Sequence, residues 1–163
     1  MMRETGRRLL GIGARARFAA YSLFEKKSSS DSNFAPGAEK YILKSPDGAL
    51  EVTVFGGKLT YSAAVGGITV IKPSEIGLLV QGSKNIGADV TLGEPKIEPC
   101  EETYRDLDTE TDITDRHMNY IIPVRAGKII YSLEVRIWND GFGFRLLFGK
   151  DTGLLISDEL TRF

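Results

Sequence analysis

The stretch IIYSLEVRIWNDGFGFRLLF, residues 129–148, decides the fold class. Ile129, Tyr131, Leu133, Val135 and Ile137 take every second position, with Ser132, Glu134 and Arg136 between them. A period of two sends apolar and polar side chains to opposite faces of an extended strand, where a helix would need a period of about 3.6. Asn139-Asp140-Gly141 supplies a turn, and Phe142, Phe144, Leu146 and Phe148 carry the alternation back. The stretch is therefore a β-hairpin with one apolar face.

The same pattern recurs upstream. Leu50, Val52 and Val54 share a face opposite Glu51 and Thr53, and Gly56-Gly57 offers a turn that tolerates positive φ. Leu59, Tyr61, Ala63 and Val65 then form the inward face of a returning strand. Gly66-Gly67 repeats the device before Ile68 to Ile71; Pro73 is expected to stop that strand, and Ile76 to Val80 to begin another. Residues 88–98 read as one long strand, Glu101 to Asp115 as an acidic loop, residues 117–124 as a further strand, and Gly153 to Glu159 as the last. No helix is expected after residue 25. About nine or ten strands with closely spaced turns predict an all-β fold, an antiparallel β-sandwich or barrel.

The chain of 163 residues is 42% hydrophobic and 26% charged, which suits one globular domain with a tail. No run of about 18 apolar residues is present, so no helical membrane span is expected. Cys100 is the single cysteine, which rules out an intrachain disulfide and a CxxC metal or redox pair. Charge is uneven: residues 1–27 carry seven basic against two acidic side chains, while the remainder is net −6. The first 24 residues resemble an export leader, but Arg15 and Arg17 break the apolar core that such a leader, or a twin-arginine signal on Arg7-Arg8, requires. Residues 1–27 are read as a basic, Arg-rich appendage, or as the product of a start codon upstream of the natural one. Residues 28–38, rich in Ser with Pro36 and Gly37, are a linker, and the sandwich domain spans 39–163.

Catalytic signatures are sparse. His117 is the single histidine and no GxSxG elbow exists, which argues against a serine or cysteine hydrolase. No phosphate-cradling GxxxxGK[ST] loop occurs. The segment EETYRDLDTETDITD, residues 101–115, holds seven acids, but an EF-hand beginning at Asp106 would need Gly and Glu where Thr111 and His117 stand. Glu101 and Glu102 are adjacent and would point to opposite strand faces, so they do not form a glycosidase acid pair. His117, Asn119 and Trp138 are left as the polar or aromatic residues able to meet a sugar by hydrogen bonding and stacking.

Six segments, in order, resemble the N-terminal domain of glycoside hydrolase family 97. They are the turn Ser45-Pro46-Asp47-Gly48, the strand Leu59-Thr60-Tyr61-Ser62, VIKPSEIGL at 70–78, Glu102-Thr103-Tyr104, His117-Met118-Asn119, and LEVRIWNDGFGFR at 133–145. Ile156 to Phe163 resembles the strand that follows, so the resemblance covers about residues 40–163. It implies a galactose-mutarotase-like β-supersandwich, present in part, that packs against a catalytic (β/α)8 barrel absent from this chain. Members act on α-glucosidic or α-galactosidic bonds with calcium, and their catalytic acids lie in the barrel. No catalytic or metal residue is thereby implied here; the candidate carbohydrate-binding residues are Tyr104, His117 and Asn119. The resemblance implies a non-catalytic fragment of such an enzyme, inactive alone, with carbohydrate or the missing barrel as partner and a periplasmic or extracellular setting. A free-standing carbohydrate-binding module is the alternative; a mutarotase-type enzyme and a nucleic-acid role for the basic tail follow behind.

Overall fold

The computed structural model describes residues 34–80, 85–106, 111–150 and 153–163. The basic appendage and most of the linker lie outside the described residues. Among those described, eleven strands and no helix occur. β1 (Lys40–Lys44), β2 (Leu50–Phe55), β3 (Thr60–Val65) and β4 (Ile68–Glu75) form an antiparallel meander in chain order. β6 (Val90–Leu92), β7 (Lys96–Arg105), β8 (Asp112–Ala126), β9 (Ile129–Ile137) and β10 (Phe142–Leu147) form a second sheet, ordered β10-β9-β8, with β6 and β7 sharing the far edge of β8. A short pair, β5 (Leu78–Val80) with β11 (Ile156–Glu159), completes the set.

The chain is thus an all-β antiparallel sandwich. Its alternating apolar faces meet in one core: Leu43, Val52, Val54 and Tyr61 from the first sheet, with Leu59 just before β3, against Ile122, Val124, Leu133, Val135 and Ile137 from the second. Each such side chain removed from water contributes about 1.5–3 kcal/mol, offset by the entropy of ordering it. Polar bonds fix the sheets to one another. The Tyr120 hydroxyl donates to the Lys44 carbonyl at 2.8 Å and accepts from the Lys44 N–H at 3.0 Å. In the turn between β1 and β2, Ser45 Oγ donates to Asp47 and accepts from the Leu50 N–H. The Asp47 N–H reaches Asn139 in the β9–β10 turn, so two turns that are 92 residues apart meet at one end of the sandwich.

Five expectations change, the first being that Val65, expected inward, is exposed at the end of β3. Pro73 does not stop β4: the strand lies on a sheet edge, and its register with β3 slips between Ala63–Ile71 and Tyr61–Ser74, so the missing N–H of Pro73 breaks no ladder bond. Residues 88–98 are two strands, because the register against β8 shifts by one residue between the Leu92–Val124 and Lys96–Ile121 pairs, a bulge at Gly93 and its neighbours. The acidic stretch is not a loop. Glu101 to Arg105 and Asp112 to Asp115 pair as a ribbon that prolongs β7 and β8; residues 107–110 lie outside the described residues. The last strand starts at Ile156 rather than Gly153.

Candidate functional site

The outward face of the second sheet carries the polar residues that the alternation of β8, β9 and β10 excludes from the core. Pairing puts Asn119 opposite Arg136, Arg136 opposite Gly143, and Glu134 opposite both Ile121 and Arg145. Two clusters result. In the first, the indole N–H of Trp138 donates to Asp115 at 2.5 Å, His117 Nδ1 lies 3.1 Å from the same oxygen, and the imidazole and indole rings sit 5.1 Å apart. The Trp138 hydrogen bond leads in holding the Asp115 carboxyl below the usual carboxylate range, aided by His117 and against partial burial.

In the second cluster Glu134 is 4% exposed although it belongs to the outward face. Arg136 bonds it from its own strand at 3.1 Å, and Arg145 Nε bonds its other oxygen from across the hairpin. Burial works to raise the Glu134 carboxyl, but the bonds from Arg145 and Arg136 outweigh it and hold it low, so Glu134 is an anion flanked by two cations. Trp138, Gly143, Phe144 and the three charged residues line a hollow of about 200 Å³. A Cβ on Gly143 would meet nothing within 4 Å, so the space beside that residue is open.

His117 and Asn119 stand beside this hollow, both buried, as next-but-one neighbours on β8. Asn119 Oδ1 has no hydrogen-bond partner. Tyr104 shares the face but lies four residues beyond Cys100, the partner of His117, and so about 13 Å out along the exposed ribbon. The structure joins two of the three candidates and leaves Tyr104 apart. Sequence reasoning did not single out Glu134, Arg136 and Arg145. The signal was there: counting back from the Asn139-Asp140-Gly141 turn puts Arg145 opposite Glu134, a cation facing an acid across a hairpin.

Calcium needs about six to eight oxygen ligands. Among the described residues no group of three or more His, Cys, Asp or Glu converges. No helix among them is long and apolar enough to cross a membrane.

A family model described as the glycosyl-hydrolase 97 N-terminal domain matches residues 43–163. Among solved structures, a glycoside hydrolase family 97 enzyme from Pseudoalteromonas sp. strain K8 in complex with acarbose superposes with a TM-score of 0.68 at 19% identity, over 74% of this chain and 20% of that one. A variant of an enzyme of that family from the same strain, in complex with panose, gives 0.67 at 19% identity with the same coverage. A β-arabinopyranosidase gives 0.65 at 16% identity, again over 74% of this chain and 20% of its own. At these identities the likeness shows the fold, and the chain spans about one fifth of the length of those structures. No curated protein matches the chain in sequence.

Proposed function

Since the chain belongs to glycoside hydrolase family 97 through that family's N-terminal domain, we propose that it serves as the non-catalytic, carbohydrate-associated β-sandwich of a family 97 α-glycosidase, acting on α-glucosidic or α-galactosidic bonds only together with a catalytic barrel. The family match over residues 43–163 carries this reading. In the proposal the barrel supplies the catalytic acids, calcium belongs to the full-length enzyme, and the setting is periplasmic or extracellular.

Unpaired surface supports a partner. Among the described residues β10 and β4 are sheet edges, and Ile68, Val70, Leu155 and Phe163 are exposed. Such edges and apolar side chains favour association with another polypeptide over a free monomer. The test mixes the full chain with a separately produced catalytic barrel of a family 97 enzyme. Sedimentation velocity follows association, and release of p-nitrophenol from its α-glucoside and α-galactoside follows activity. The expected result is no hydrolysis by the chain alone, and a complex with the barrel. A cooperatively folded monomer that ignores the barrel, or hydrolysis by the chain alone, overturns the reading.

A further inference from the structure

The hollow between Trp138, Gly143 and the Glu134–Arg136–Arg145 cluster is built in a way that a solvated salt bridge does not require. Trp138 is held by two contacts, its N–H on Asp115 and its ring against His117, so the indole is fixed before anything arrives. Glu134 engages Nε and Nη2 of Arg136 and only Nε of Arg145, which leaves the two terminal nitrogens of Arg145 for another acceptor. The Arg145 side chain is 62% exposed while Glu134 is buried, so the anion anchors the guanidinium and the guanidinium faces out. Gly143 interrupts the Phe142–Leu147 strand with no side chain, and Asn119, beside Arg136, carries a buried carbonyl oxygen without a donor. The volume, about 200 Å³, suits one six-membered sugar ring rather than a chain.

We infer that this hollow binds a single pyranose unit of a saccharide, with the C–H face of the ring against Trp138, hydroxyl oxygens accepting from Arg145 and Arg136, and the ring lying in the notch that Gly143 leaves. Aromatic surface matches the apolar face of a pyranose, and fixed guanidinium donors match its rim of hydroxyls. The inference rests on the carbohydrate association proposed above and gives it an address.

Trp138 is the single tryptophan of the chain, so its indole N–H gives one cross-peak in a 1H–15N spectrum and reports on the hollow alone. The uniformly labelled full chain is titrated with methyl α-glucoside, methyl α-galactoside, maltotriose and, separately, sodium sulfate. The expected result is a saturable shift of the Trp138 indole and Arg145 side-chain signals with at least one saccharide. Gly143→Val, which fills the notch on an edge strand without touching the core, should abolish the shift while the rest of the spectrum keeps its dispersion. Arg145→Gln should weaken binding at least about tenfold. Saccharide-induced shifts elsewhere with the indole unmoved overturn this site and leave the carbohydrate association standing; no shift anywhere overturns both. Movement with sulfate but with no saccharide makes the hollow an anion site and also overturns the inference. Undiminished binding by Gly143→Val does the same.

Discussion

Replacing Tyr120 by Phe tests one of the polar ties between the two sheets. The ring is 6% exposed and its hydroxyl is the partner of both main-chain groups of Lys44, on a strand that forms the outer edge of the first sheet. Removing one oxygen keeps the packing of the ring and orphans one N–H and one C=O. A buried orphan costs about 1–3 kcal/mol, and water reaching the sheet edge recovers part of that, so the pair should cost about 2 kcal/mol. For a folded unit of about 125 residues, each kcal/mol moves the midpoint about 3–6 °C, which gives a fall of about 6–12 °C. Urea unfolding followed by tryptophan fluorescence should show the midpoint about 1 M lower with an unchanged slope. The control is Tyr41→Phe, whose hydroxyl accepts a single exposed bond from the Ala38 N–H and should cost no more than about 0.5 kcal/mol. A Tyr120→Phe variant as stable as that control would refute the view that this hydroxyl joins the sheets.

Leu133 is fully buried on β9, and Leu133→Ala should cost about 2–5 kcal/mol by urea unfolding, with the higher end marking a cavity that does not collapse. Glycines divide sharply: a Cβ on Gly87 falls on the Ile76 carbonyl oxygen, so Gly87→Ala should cost about 1–3 kcal/mol, whereas Gly143→Ala enters open space and should change stability by no more than about 0.5 kcal/mol. Asp115 and Glu134 both have folded-state carboxyls held below their unfolded values. Their contribution to stability is thus complete above the unfolded carboxylate range, about pH 4, and disappears as pH falls through the lower folded values. Thermal midpoints measured from pH 7 downwards should therefore drop on the acid side, and Glu134→Gln should flatten that drop; an equally steep acid limb in the variant would remove Glu134 from the explanation.

What the sequence determined by itself was local. Alternation in residues 129–137, and the turn that follows, set which side chains of β9 and β10 share a face, because successive Cβ atoms on a strand point opposite ways whatever surrounds them. The positive-φ turns at Gly57, Gly66 and Gly67, and the inward set Leu50, Val52 and Val54, were legible for the same reason. Tertiary structure alone decided the rest. Residues 88–98 look continuous in sequence, and the one-residue register shift against β8 between Leu92 and Lys96 divides them. The acids of 101–115 look like a solvated loop, since the pairing of β7 with β8 places Glu101 against Arg116 and Thr103 against Thr114, a complementarity not visible along the chain. The candidate site shows the same division: the period of two put Glu134 outside the core, but its charge partners come from Arg136 on its own strand and Arg145 across the turn. Periodicity tells which face a side chain takes; what covers that face depends on residues brought there by pairing, and burial with its charge balance is a property of the assembled sheet.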